Sequence, residues 1–407
     1  MPNFITKIKI KNFFSIKNEI EIDFSADDYT IKNHKDRVFE YNGKFYNKLI
    51  SFYGANATGK TTILKALVVV GAIINNDNKS RIPFSIKNKY AHPKSKTEIT
   101  INFVINSQEF QYVLVLDYNE TKINNKISNE MLYLINENRK TTFFNRRKRK
   151  LNIEMDKSTK TILFENLSNT VSIIKEFEIF DKSNVLPMIK NFLGSIPYLS
   201  NIKSAFFTHF GVKEEDEERL MLDIMSNENL KLFLIKFLRS IGMDIKDVDV
   251  EFKLNDDKQI IGLKNILIYH EIDTKIPLEY KLESDGTKIL FKLLIDMYLA
   301  KQKGSILVVD ELDSVLHAML VPLLCKLAID NDIQLLYTTH NIYNMKFLYS
   351  DEIYIVEKDK DHDTNIIEPK KDENIKGYEN FLIMYEENLL GGLPKFHNIF
   401  TEININE

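Results

Sequence analysis

The stretch SFYGANATGKTTILKAL, residues 51–67, passes from an apolar run through a glycine-bounded loop into a segment that begins at a lysine. Gly54, Ala55, Asn56, Ala57, Thr58, Gly59, Lys60 and Thr61 fit the pattern G-x-x-x-x-G-K-[ST], the spacing of a loop whose backbone N–H groups wrap a polyphosphate. Gly54 and Gly59 can take backbone angles that side chains forbid, so consecutive amides point inward. Lys60 opens a helix, where unpaired N–H groups and the dipole already favour negative charge. The pattern assigns its ammonium to the β and γ phosphates of a nucleoside triphosphate and the Thr61 hydroxyl to Mg²⁺, with Thr62 completing the stretch. Leu49, Ile50 and Phe52 predict a buried strand before the loop. Ile63, Leu64, Ala66 and Leu67 predict a helix after it, stopping near Gly71.

Composition narrows the function less. At 407 residues the chain is long enough for more than one core, or for one large domain with an insertion. Lys plus Arg number 55 against 58 Asp plus Glu, a formal net charge of -3, so there is no global pull toward nucleic acid or anionic lipid. The single cysteine, Cys325, rules out an internal disulfide and suits a reducing cytoplasm. The N-terminus alternates lysine with isoleucine, so no signal peptide is expected. The longest apolar stretch, ILKALVVVGAII, carries Lys65 and belongs to the helix after the loop, so no membrane span is expected either.

Along the chain, ITKIKIKNFF and EIEIDF alternate apolar and charged residues and predict two half-buried, paired strands. TEITINFVI, FQYVLVLDY and KTILFENL predict further strands between residues 98 and 167. From 181 to 242 the period becomes helical, as in NLKLFLIKFLRSIG, with the acidic run KEEDEERL inside it. NILIYHEI resumes the strands. The expected division is therefore residues 1–180, a β lobe with the phosphate loop; 181–245, a helical insertion; and 246–407, the remainder of the same α/β domain.

A second signal is GSILVVDELDSVLH, residues 304–317. Ile306 to Val309 form an all-apolar strand of the kind buried on both faces in a parallel sheet. Two acids end it. Asp310 is expected to orient a water on Mg²⁺, and Glu311 to polarise the water that attacks the γ phosphate. A third strand, in IQLLYTTHN, delivers Thr338, Thr339 and His340 to the same sheet edge, where His340 is placed to donate to that phosphate. Upstream, ESDGTKILFKLL sets Ser284, Asp285, Gly286 and Thr287 at another helix start able to hold phosphate. Taken alone, SDGT reads more readily as an N-cap turn than as a ligand site.

The order of phosphate loop, SDGT turn, D-E strand, Asp313 and strand-end histidine resembles the ATP-binding-cassette type of ATPase, as in the RecF, chromosome-maintenance and OLD groups. IKIKNFFSIKNEIEIDF is similar to the opening strands of those non-transporter members. DELDSVLHAML resembles the corresponding stretch of OLD-like ATPases from bacterial abortive-infection systems, with Ala318 where proline is usual. SDEIYIVEKD and YEENLLGGLPKF resemble the end of "AAA family" ATPases encoded beside RloB-like proteins, including the AbiL type. The resemblance implies ATP and Mg²⁺ as cofactors and a cytoplasmic homodimer that sandwiches two ATP molecules. SDGT of one copy then caps the γ phosphate held by Lys60 of the other, and Asp313 joins the nucleotide site. It further implies an anti-phage switch controlling a separate effector, such as an RloB-like protein or a Toprim nuclease. A RecF-like repair ATPase working directly on DNA is the alternative.

Two polar stretches stay open. EKDKDHD, residues 357–363, offers carboxylates for a metal-dependent nuclease but has too little chain after it for a domain with its own core, and a hairpin is the simpler reading. NRRKRK, residues 145–150, either neutralises phosphates of DNA or RNA or forms a solvated turn.

Overall fold

Alternating lysine and isoleucine give β1 (Phe4–Lys11) one apolar row, which faces the matching row of β2 (Ile20–Asp23), with Ile8 opposite Ile22 and Ile10 opposite Ile20. The computed structural model describes residues 2–75, 85–119, 124–137, 139–200, 217–255, 259–270, 276–304, 306–314, 316–372 and 380–393. After β2 come α1 (Asp28–Asn33), a hairpin of β3 (Val38–Tyr41) and β4 (Lys44–Asn47), then β5 (Leu49–Tyr53) and α2 (Lys60–Asn75). β6 (Thr97–Ile105), β7 (Gln108–Asn119), β8 (Asn124–Asn136), β9 (Arg139–Asn145) and β10 (Lys150–Leu151) extend β1 into a sheet of order β10-β9-β8-β7-β6-β1-β2. Every junction in it is antiparallel.

Three helices follow, α3 (Lys157–Asn166), α4 (Ile173–Phe177) and α5 (Val185–Leu193), then the short strand β11 (Tyr198–Ser200). α6 (Glu217–Ser226) and α7 (Glu228–Ser240) pack on an antiparallel sheet of β12 (Ile245–Leu254), β13 (Ile260–His270) and β14 (Leu278–Glu279). The chain closes with α8 (Asp285–Lys303), β15 (Ile306–Asp310), α9 (Leu320–Asp330), β16 (Gln334–Thr338), β17 (Ile353–Lys358), β18 (Thr364–Ile367) and α10 (Phe381–Glu386).

The sheet that positions the site has the order β11-β15-β16-β5-β17-β18, parallel except at β18. Its strands are apolar on both faces because both faces are covered. Ile50, Phe52, Ile306, Val308, Leu336 and Val356 face a core shared with α2 and the antiparallel lobe. Leu49, Tyr53, Leu307, Val309, Leu335 and Ile355 face a second core with α8 and α9. This is an α/β fold, a mixed sheet with flanking helices beside an antiparallel β lobe. Buried Gln334 ties the lobe to it: its Oε1 accepts from Ile5 N at 2.8 Å and its Nε2 donates to Ile5 O at 2.9 Å.

Four expectations change. KTILFENL lies in helix α3 and its end, not in a strand, because Phe164 packs on Phe177 of α4. Gly71 does not end α2, which runs on to Asn75; a Cβ there would sit 3.0 Å from Leu193 O, so the glycine serves close approach to α5. After the antiparallel lobe, helices resume at Lys157, well before residue 181. The 181–245 span is also not purely helical, since β11 within it pairs parallel with β15, Ser200 beside Asp310. Of the run KEEDEERL, residues 213–216 lie outside the described residues and 217–220 open α6.

One buried carboxyl makes stability depend on pH. Asp351 accepts from Asp27 N at 2.9 Å and from the Thr30 hydroxyl at 3.0 Å. Burial, then the charges of Glu352 and Asp27, push it up to about 7. A folded pKa above the unfolded one favours the folded state below the unfolded value, and that gain is lost as pH rises through the folded value. Wild type should therefore lose stability relative to Asp351→Asn between about pH 4 and about pH 7 in urea titrations; parallel profiles would exclude this assignment.

Candidate nucleotide site

β5, β15 and β16 end side by side, so the loops after them share one crevice. The loop after β5 has Gly54 at φ +140° and Gly59 at φ +115°. A Cβ on Gly54 would meet Val356 O at 2.1 Å, and one on Gly59 would meet the Thr364 hydroxyl at 2.4 Å, so both positions require glycine. Lys60 opens α2 as expected and is buried; its Nζ donates to Gly54 O at 2.7 Å and Ala55 O at 3.0 Å. Burial lowers its pKa to about 8, opposed by the charges of Asp310, Glu311 and Asp313.

A cavity of about 380 Å³ opens over this loop. Asn56, Ala57, Thr58, Gly59, Lys60, Thr61 and Thr62 line it together with Ser15, Glu311, Thr338 and His340. The sequence motifs from three separate stretches thus converge on one wall. Asp310 is fully buried, one hydrogen bond away: the hydroxyls of Thr61 and Thr338 donate to its Oδ1 at 3.0 and 2.7 Å. Its Oδ2 is buried with no hydrogen-bond partner. Burial, then the charges of Asp310 and Asp313, raise the Glu311 pKa. His340 is held below the usual imidazole range by burial and by Lys60.

Asp313 does not line the cavity; its carboxylate accepts from His340 N at 3.2 Å and so orders the turn that carries the imidazole. Nor do Ser284, Asp285, Gly286 and Thr287 line it in this chain. Ser284 caps α8, accepting from Thr287 N at 3.2 Å, and Asp285 is exposed and paired with Lys288 at 3.0 Å. Of the two readings of SDGT, the N-cap turn is the one this chain shows.

Sequence reasoning missed the support beneath the loop. The Ser15 hydroxyl lies within hydrogen-bond distance of Thr62 Oγ1 at 3.2 Å and of Thr364 Oγ1 at 2.8 Å. Thr364 also reaches Thr58 O at 2.8 Å, and Ala55 N donates to Gly392 O at 3.0 Å. No motif links residues so far apart in sequence; only the Gly391–Gly392 pair carried a local signal.

Of the two open stretches, EKDKDHD forms the β17–β18 hairpin. Asp359 accepts from Asp361 N and Asp363 N, while Asp363 accepts from Lys17 N and Asn18 N. Among the described residues no group of three or more His, Cys, Asp or Glu is arranged to hold a metal ion. In NRRKRK, Arg146 turns inward to Glu130, Val171 O and Ser168 O, leaving Arg147 to Lys150 exposed. No helix among the described residues is long and apolar enough to cross a membrane.

Three solved structures illustrate the likeness. The Smc head bound to the C-winged helix domain of ScpA shares 16% identity at a TM-score of 0.46, covering 89% of this chain and 97% of that one. The SMC head domain from Thermotoga maritima shares 14% at 0.43, covering 89% and 98%. The Smc head domain with an extended coiled coil, bound to the C-terminal domain of ScpA derived from Pyrococcus furiosus, shares 15% at 0.45, covering 95% and 100%. No curated protein matches the chain. Residues 49–345, which hold the phosphate loop, the acidic strand and the strand-end histidine, match the family described as "AAA domain, putative AbiEii toxin, Type IV TA system". A match over well more than half of the sequence means that the chain belongs to this AAA-type ATPase family.

Proposed function

We propose that the chain binds and hydrolyses ATP as a dimeric switch. The observation that carries this reading is the Thr61–Asp310–Thr338 hydroxyl–carboxylate chain beside the glycine loop, with Glu311 and His340 on the same cavity wall. Lys60 neutralises the β and γ phosphates, and the loop amides of residues 54–61 wrap them. The donor set fits Mg²⁺, since a threonine hydroxyl and a buried carboxylate with one unpartnered oxygen are the hard oxygen groups that ion takes. When bound, Mg²⁺ neutralises charge on the phosphates. Glu311 accepts a proton from water, and neutral His340 donates toward the γ phosphate.

SDGT of a second copy closes each site, which gives the α8 N-terminus a use that the cavity of its own chain does not supply. The biological reading is a subunit of an abortive-infection system, of the AbiL or RloB-associated type, in which ATP-dependent closure holds or releases a separate effector. The family's toxin–antitoxin description supports that context.

The test is Gly286→Arg. The bulky side chain takes the place of the γ phosphate of the opposite molecule, so single-chain nucleotide binding survives while ATP-dependent dimerisation and phosphate release are lost. Mixing it with Lys60→Ala should restore some hydrolysis, because one composite site then carries both defects and the other neither. Wild-type hydrolysis by Gly286→Arg alone would remove SDGT, and the sandwich, from the mechanism.

A further inference from the structure

We infer that Thr338 is a positioning residue whose single hydroxyl fixes both the Asp310 carboxylate and the backbone turn that aims Glu311. The inference rests on the hydrolytic reading above and adds a residue that the motifs leave without a role. Thr338 ends β16, between β15 and β5, and is fully buried. Its Oγ1 donates to Asp310 Oδ1 at 2.7 Å and accepts from Glu311 N at 2.7 Å. One hydroxyl has one donor and two acceptor positions, so a single atom serves both bonds. Its carbonyl accepts from Leu312 N at 3.0 Å, so residues 310–312 all hang on this one threonine.

The turn needs such a hold. Glu311 has φ +53°, a left-handed conformation that residues with side chains seldom adopt without support. The amide bond from Glu311 to the threonine stabilises that geometry where it is needed to aim the carboxylate. At Asp310, the hydroxyls of Thr338 and Thr61 both occupy Oδ1, which leaves Oδ2 as the oxygen without a partner and fixes the rotation of the carboxylate. Valine keeps the shape of threonine and can make neither bond. Serine makes both and lacks only the methyl.

The experiment compares wild type, Thr338→Val and Thr338→Ser for binding of a fluorescent ATP analogue in EDTA and in Mg²⁺, for phosphate release and for thermal midpoint. Thr338→Val should bind nucleotide as wild type does in EDTA, lose the gain in affinity that Mg²⁺ brings, and lose about 10²-fold in kcat, the size of loss a misplacement of about 1 Å produces. Thr338→Ser should recover both. A Thr338→Val protein with wild-type Mg²⁺ response and turnover overturns the inference. So does a Thr338→Ser protein as impaired as Thr338→Val, which would assign the effect to methyl packing. If Thr338→Val does not fold, Thr338→Cys, a weak donor and acceptor of similar size, replaces it under the same criteria. Wild type that binds ATP but releases no phosphate overturns the hydrolytic reading and takes this inference with it; hydrolysis by wild type and by Thr338→Val alike overturns the inference alone.

Discussion

Replacing Glu311 with glutamine is expected to leave ATP bound and to lower turnover by about 10²–10⁴-fold, the contribution of one general base. The substitution keeps the size of the side chain and the left-handed backbone, and removes only the ability to take a proton from water. Lys60→Ala acts at the other end of the reaction. Its Nζ lies among the loop carbonyls of Gly54 and Ala55, at the start of α2, and its pKa of about 8 keeps it largely cationic at neutral pH. Without it the phosphates lose their nearest cation, so binding itself should fail. Equilibrium binding of a fluorescent ATP analogue, set beside phosphate release, separates the two defects. Equal affinity in wild type and Lys60→Ala would sink the phosphate-loop assignment. On the proposed mechanism the same glutamate is expected to set the acid limit of activity: burial and its acidic neighbours raise its pKa, and only the ionised form accepts a proton. Turnover in wild type should therefore fall, as pH is lowered, above the range of an ordinary exposed carboxylate.

Arg146→Ala is expected to destabilise the fold by about 3–5 kcal/mol, the cost of stripping one partner from a buried ion pair. Glu130 is fully buried on β8 and accepts from the Tyr112 hydroxyl at 3.0 Å, from the Ser172 hydroxyl and from Ile173 N at 2.8 Å, with Arg146 at 3.5 Å. Arg146 in turn donates to the carbonyls of Val171 and Ser168, so the pair staples the start of α4 to the antiparallel lobe. Removing the guanidinium leaves a buried carboxylate without its countercharge and two carbonyls without a donor. Arg147→Ala, on the exposed side of the same turn, should stay within about 0.5 kcal/mol of wild type. Urea denaturation of both proteins makes the comparison. Equal small losses would mean that Arg146 is a surface cation like its neighbours, and would return it to the group available for a polyanion.

Physical range separates what was legible in the chain from what was not. The phosphate loop could be read because its requirements are local: backbone angles at Gly54 and Gly59, and a helix that starts at Lys60. The acidic strand could be read because a run of apolar residues ended by two acids admits few environments besides a covered parallel sheet. Alternation likewise marked β1 and β2 as half-buried strands, and the runs TEITINFVI and FQYVLVLDY marked β6 and β7. KTILFENL was misread because its short apolar run fits either period, and contact with α4 decided between them. Gly71 was misread as a stop because its actual reason, the Leu193 carbonyl on α5, is contributed by another helix. The sequence alone determined which residues meet at the crevice: the glycine loop, the acids that end β15 and the strand-end histidine. Only the tertiary structure decided that Ser15, Thr364 and Gly392 brace that loop, because residues hundreds of positions apart meet only after the strands have chosen their neighbours, and that Arg146 is spent inside the fold, because Glu130 on the neighbouring strand and the carbonyls of Ser168 and Val171 before α4 close around it.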